Sequence, residues 1–289
     1  MKRTWKKWIA LSLAIGIFCI GTPAIIHAEE AEDNTPISLK TNETNIDLYS
    51  SQYGTWMQSN GRYWFRNEDG TFARDGIYTI NGVDYAFDQN GWMVTGWYLQ
   101  TWDDGTTDWY YHDANGKMHF GWLLSGNTWY YMHPDEGWMI TDTELYIDNN
   151  YYRFNADGTM YTGWYKEGDE WCYYSGNGLL REQWLQLGGL WYFFDYNGHM
   201  YYGATYTIGD DAYRFNDDGT MVTGWAKHVW PDGNTDWYYY DANGKEHHGW
   251  LSLGSKWYYM HPSTGEMYYS RTAMIDGVSY TFNTDGTLK

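Results

Sequence analysis

GWLLSGNTWYYMHPDEGWM, residues 121–139, recurs almost unchanged as GWLSLGSKWYYMHPSTGEM, residues 249–267. Each copy holds a Trp, a Gly-containing turn, a second Trp seven residues after the first, and two tyrosines. Two short aromatic runs joined by a Gly turn read as a β-hairpin. A lone two-stranded hairpin is marginal in water. The stretch therefore predicts a unit that must bury a face on neighbours of its own kind.

Such neighbours fill the chain. From residue 54 onward, one pattern of about 20 residues repeats, with units opening near Gly54, Gly76, Gly96, Gly121, Asp142, Gly163, Gln183, Gly203, Gly224, Gly249 and Ser270. Most close on a turn signal such as NEDG, DQNG, DANG, NADG or NTDG, where Asp or Asn followed by Gly favours a tight turn with positive φ. These acidic turns lack the ligand spacing of a known calcium loop. A triplet period overlies the repeat. The units at Gly96, Gly163 and Gly224 open with GW. Those at Gly121, Gln183 and Gly249 read GWLL, QWLQ and GWLS. Those at Asp142, Gly203 and Ser270 carry no Trp. The predicted fold is all-β: an elongated solenoid of tandem β-hairpin repeats over residues 53–289.

Side chains alternate faces along a strand. In the second strand of each unit, the column holding Tyr130, Tyr152 and Tyr258 is aromatic in nearly every unit, and the column two residues on holds Met132, Phe154 and Met260. That face is kept by all units and is expected to pack. The other face, with Trp129, Trp171 and Trp257 in some units and Asp84, Ala212 or Ser279 in others, is expected to be displayed. Either placement of the turn, at Gly126-Asn127 or Ser125-Gly126, puts Trp122, Trp129 and Tyr131 on that second face. Trp250, Trp257 and Tyr259 follow suit, as do Trp164 with Trp171 and Trp184 with Trp191. The longer units leave the register of Trp97 and Trp225 open. Cys172, in the packing column, reads as a small buried residue. Rings gathered around a small cavity suit a cation without N–H donors, such as a quaternary ammonium.

The rest of the chain sets the context. MKRTWKKW, an apolar run and Ala28 read as a signal peptide over residues 1–28. Ile17 and Phe18 fit a lipid-modification signal at Cys19 poorly. Losing the four positive charges Lys2, Arg3, Lys6 and Lys7 from a formal net charge of −19 leaves −23, which disfavours nucleic acid and anionic membranes. No membrane span is expected in the mature chain. Cys172 is its only cysteine, so no internal disulfide forms. Residues 29–52 read as a disordered acidic arm or linker. The chain closes on TDGTLK without an anchoring pattern, so the expected attachment is noncovalent, at the cell wall or surface of a secreted protein.

The repeated Gly121, Trp122, Gly126, Trp129, Tyr130, Tyr131, Gly137 and Met139 resemble the cell-wall-binding repeats of choline-binding proteins of Gram-positive bacteria. The resemblance covers about residues 54–289 and is strong in six units. It implies choline groups of teichoic acids held between successive hairpins, in cages of two Trp and a further aromatic. Carried over by position, the pairs are Trp97 with Trp109, Trp122 with Trp129, Trp164 with Trp171, Trp184 with Trp191, Trp225 with Trp237, and Trp250 with Trp257, joined by Tyr131 and Tyr259. The units at Gly76, Asp142, Gly203 and Ser270 lack both tryptophans, so about three good sites are expected, where two Trp-bearing units adjoin.

The same repeat family includes glucan-binding repeats of streptococcal glucosyltransferases and repeats of large clostridial toxins. A glucan or another cell-wall polymer is therefore the alternative ligand, and a structural stalk or adhesin the third reading. No catalytic constellation, phosphate loop or metal-ligand spacing stands apart from the repeat, so no enzymatic activity and no cofactor is expected. His133 and His261, alike in matching units, read as turn architecture.

Overall fold

A computed structural model describes residues 54–289 together with the short strand Ser50–Ser51. The expected signal segment and nearly all of the acidic arm lie outside the described residues. Those described belong to one compact unit, residues 45–289. Among them every regular element is a strand. Ser50–Ser51, at the end of the expected arm, pairs antiparallel with Gly54 and Thr55.

Eleven antiparallel hairpins follow one another, spanning residues 54–67, 76–87, 96–112, 121–132, 143–154, 163–174, 183–194, 205–214, 224–240, 249–260 and 272–281. Apart from the added strand on the first, each hairpin is a sheet by itself. In the fourth, Ser125 pairs with Thr128 and Trp122 with Tyr131, so the turn is Gly126-Asn127. Gly126 adopts φ 64°, a conformation a side chain disfavours and a two-residue hairpin turn demands. The longer hairpins lengthen only at the tip. Trp97 pairs with Tyr111 and Trp225 with Tyr239, the same register as in the short ones.

What joins these separate sheets is a repeated backbone link. After each turn the chain returns and pairs back on its own hairpin, as Met139 does on Met132 and Met160 on Phe154. The returning residue also donates its N–H to the preceding hairpin: Met139 to Trp109, Met160 to Trp129, Met200 to Trp171, Met221 to Trp191 and Met267 to Trp237, each at 2.8 Å. Leu288 to Trp257 repeats it at 2.8 Å. The link asks only for a backbone carbonyl, so it persists where the acceptor residue is Asp84 or Ala212.

Side chains fill the same joint. A Cβ on Gly286 would lie 2.3 Å from the Met267 sulfur. The closing Gly is thus a seat for the thioether of the unit before, which explains the Gly and Met of the repeat. Phe87, Met132, Phe154, Phe194, Phe215, Met260 and Phe282 are fully buried, and small clusters recur from hairpin to hairpin in place of one central core.

These clusters correct the expected division of faces. Trp122 and Tyr131, expected to be displayed, are half-buried and pack on Ile140, Ile147 and Phe154. The varying face of one hairpin lies on the constant face of the next. Both faces pack.

Candidate functional site

At the fourth hairpin the GW tryptophan stands between two rings. Trp122 meets Trp129 of its own hairpin at 6.0 Å and 90°, and Tyr152 of the next hairpin at 4.7 Å and 68°. Strand alternation puts Trp122 and Trp129 on one face. Stacking brings in Tyr152, which projects from the constant face of the following hairpin. Both neighbours are edge-on to Trp122, which makes it the back of a three-ring box.

The box occurs six times. Trp97 meets Trp109 at 6.3 Å and Tyr130 at 4.8 Å. Trp164 meets Trp171 at 6.3 Å and Tyr192 at 5.1 Å. Trp184 meets Trp191 at 6.1 Å and Tyr213 at 4.9 Å. Trp225 meets Trp237 at 6.5 Å and Tyr258 at 4.9 Å. Trp250 meets Trp257 at 6.3 Å and Tyr280 at 4.8 Å. The first ring is half-buried each time, whereas Trp109, Trp171, Trp191, Trp237 and Trp257 are 37–49% exposed. At Trp225, Trp237 and Tyr258 the rings line a cavity of about 560 Å³, together with Met267 and Asp285. Trp225 and Trp237 reach it from one hairpin, Tyr258 and Met267 from the next, and Asp285 from the turn after that.

The expected pairs of tryptophans are therefore brought together in all six units. Tyr131 and Tyr259 take another place. Tyr131 packs on Trp122 at 5.1 Å and on Phe154 at 6.1 Å. Tyr259 packs on Trp250, Tyr268 and Phe282. Each lies directly across the strand pair from the first Trp, where it faces the packed interior and braces that ring. The third ring comes instead from Tyr130, Tyr152, Tyr192, Tyr213, Tyr258 or Tyr280, residues the sequence reading assigned to packing alone. Three of these, Tyr152, Tyr213 and Tyr280, belong to hairpins without Trp, so the expected restriction to three places does not hold in the geometry.

A related box forms at the first hairpin, where Trp56 meets Tyr85 at 4.8 Å. Tyr63 holds the second-Trp position, and Met93 donates its N–H to the Tyr63 carbonyl at 2.7 Å. Arg62 and Tyr63 line a cavity together with Asp88 and Met93, and Arg62 lies 3.4 Å from Asp88 and 4.4 Å over the Trp92 ring.

Polar groups near the boxes set backbone geometry. His119 and His247 approach the carbonyls of Trp122 and Trp250 through Nε2 at 2.8 and 2.9 Å, and the Tyr161 hydroxyl donates to that of Trp164 at 2.5 Å. His133 and His261 accept backbone N–H groups of their own turns at Nδ1, as turn architecture requires. Burial pushes the Cys172 thiol up to about 11, so it is no nucleophile at neutral pH. Among the described residues no cluster of His, Cys, Asp and Glu could hold a metal ion, and no helix is long and apolar enough to cross a membrane.

Comparison with known proteins agrees with this architecture. A choline-binding repeat family matches residues 106–143, and a cell wall binding repeat family matches residues 145–160, 182–200 and 248–267. No curated protein matches the chain. Among solved structures, CbpJ of Streptococcus pneumoniae is 24% identical, with 81% of this chain and 99% of that one covered and a TM-score of 0.54. Choline binding protein F of the same organism is 22% identical over 83% of this chain and all of that one, TM-score 0.52. The choline-binding domain of CbpL, also from Streptococcus pneumoniae, is 25% identical over 68% of this chain and 97% of that one, TM-score 0.50.

Proposed function

Starting from a chain that carries choline-binding, cell wall binding repeats, we propose that its six three-ring boxes are the ligand sites, and that they hold choline groups displayed on teichoic acid. The carrying observation is the sixfold recurrence of one geometry: two tryptophans and a tyrosine from the next hairpin, within narrow ranges of distance and angle. A trimethylammonium offers no N–H to a hydrogen-bond acceptor. Its diffuse charge is matched by aromatic faces, each contributing ~0.5–2 kcal/mol. Less the cost of association, a single box then binds near the millimolar range. A polymer carrying many choline groups engages several boxes of one chain, and avidity supplies attachment without a covalent anchor. The chain acts on this reading as a secreted, noncovalent cell-surface binding module.

Titration with choline should quench Trp fluorescence, because Trp109, Trp129, Trp171, Trp191, Trp237 and Trp257 flank the boxes. Retention on immobilised choline, with elution by free choline, is the expected result. Retention on dextran and passage through the choline matrix would replace this reading with glucan binding.

A further inference from the structure

The boxes are alike in their rings and unlike in what borders them. In each of the first five, the returning residue of the second hairpin is a Met seated on the closing Gly of the third: Met139 on Gly158, Met160 on Gly178, Met200 on Gly219, Met221 on Gly244 and Met267 on Gly286. Each sulfur would lie 2.2–2.3 Å from a Cβ built there. That shared contact fixes the place of the residue before the Gly. It is Asp157 for the box of Trp97, Asn177 for that of Trp122, Asp218 for that of Trp164, Asn243 for that of Trp184, and Asp285 for that of Trp225. Acid and amide alternate. The cavity at Trp225 and Trp237 shows the consequence, since Asp285 itself lines it. At the box of Trp164, burial raises the pKa of the Tyr192 phenol and the Asp218 carboxylate adds to that shift, which sets the charge beside the third ring.

The three aspartates also hold their turns. Oδ1 of each accepts the N–H and hydroxyl of the Thr two residues on, Thr159, Thr220 or Thr287. These bonds use one carboxylate oxygen. Around Asp285 the other oxygen lies 4.0 Å from Lys256 Nζ, both side chains being 59% exposed, and such a surface pair is weak. In the Trp164 box the facing cation is Lys166. It pairs across the strands with Trp171 and stands 5.8 Å over that ring, so a box wall already carries an ammonium that bears N–H groups.

We infer that the boxes fall into two electrostatic classes, and that Asp157, Asp218 and Asp285 let three of them take cations bearing N–H groups, such as a primary ammonium, as well as quaternary ones. An aromatic face attracts any cation but leaves ammonium N–H groups without a strong acceptor. A carboxylate at the rim supplies one. Asn177 and Asn243 bring no charge from the closing turn. Burial raises the pKa of Tyr152 in the Trp122 box and Asp148 adds to that shift, but Asp148 stands in the tip turn of its hairpin and not beside the closing Gly. These two boxes therefore favour the quaternary ion, whose desolvation leaves no donor unpaired. This inference rests on the reading of the boxes as ammonium sites.

Calorimetric titration of the full chain with choline and with ethanolamine, at low and high salt, tests it. The wild-type protein should bind ethanolamine at about half as many sites as choline. The triple variant Asp157→Asn, Asp218→Asn, Asp285→Asn should keep every choline site, with affinity at three of them lowered about two- to fivefold, and should lose ethanolamine binding. Asn occurs naturally in the equivalent turns at Asn177 and Asn243, so these turns accept it. The reverse double variant Asn177→Asp, Asn243→Asp should add two ethanolamine sites. Ethanolamine binding that is absent from the wild type, or unchanged across the three proteins while choline binds, overturns the two classes alone. No choline binding in the folded wild type overturns the proposed function, and the classes with it.

Discussion

Two neighbouring joints show what the repeat needs for folding and what it needs for display. Between the fourth and fifth hairpins stand Trp122, Trp129, Tyr152 and Phe154. Between the fifth and sixth, the same positions hold Glu144, Tyr151, Cys172 and Tyr174. The backbone link survives, from Met160 to Trp129 at 2.8 Å in one and from Leu180 to Tyr151 at 3.1 Å in the other. The ring box does not. At the second joint the Tyr174 hydroxyl donates to Glu144, a polar pair in place of an indole against a phenyl ring. A comparable exchange occurs between the eighth and ninth hairpins, where Thr205 lies 3.4 Å from the Tyr240 hydroxyl and Tyr240 donates to Glu246 at 3.1 Å. Linkage is a backbone property, whereas display is a side-chain option exercised in two joints of every three.

The largest effect is expected at the half-buried ring that backs a box. Trp184 packs on Phe193, Tyr213 and Phe215, so Trp184→Ala should cost about 3 kcal/mol in urea unfolding and remove one choline site. A shift under about 0.5 kcal/mol would mean that the ring is not part of the joint. Next comes conversion of one joint into the other. The triple change Glu144→Trp, Cys172→Tyr, Tyr174→Phe writes the box residues into the plain joint, with Tyr151 as second wall. Calorimetry should show one choline equivalent more than the wild type; an unchanged number in a folded variant would place the determinant outside these side chains.

A smaller effect is expected at the outer wall. Trp191 is 40% exposed, so Trp191→Ala should remove one choline equivalent yet cost only about 1 kcal/mol of stability. If instead its stability loss matched that of Trp184→Ala, the two tryptophans would share one role. Least visible is Cys172. With its thiol pushed up to about 11, thiolate at pH 8 is about a thousandth of the total, and a disulfide reagent should label it only after unfolding. Prompt labelling of the native chain would show that the joint opens.

The sequence alone discloses the hairpin, the triplet period and the tryptophan pairs of the short units, because alternation along a strand assigns faces within one unit; the placement of the turn and the register of Trp97 and Trp225 come from the strand pairing. The sequence does not disclose the third ring. The constancy of its column marks Tyr152 as a packing residue, and the face that Trp122 shares with the variable Trp129 position marks it as displayed. The inference failed because the two columns touch each other across the joint. Glu144 can replace a Trp where Tyr174 offers a matching hydroxyl, so variation on one face is absorbed by a compensating change on the next. Nothing within a single hairpin reveals which neighbour supplies that compensation. The acidic turns at Asp157, Asp218 and Asp285 were equally visible as turns, but their place beside a box two hairpins back follows only from stacking.

The central claim is that each Trp-bearing joint is a ligand site, whether or not the next hairpin carries Trp. The direct measurement is the number of choline equivalents bound by the full chain in calorimetric titration. Six are predicted, one for each pair from Trp97–Trp109 to Trp250–Trp257. About three, with Trp122→Ala, Trp184→Ala and Trp250→Ala leaving the count unchanged, would contradict the account and return the sites to the joints where two Trp-bearing hairpins meet.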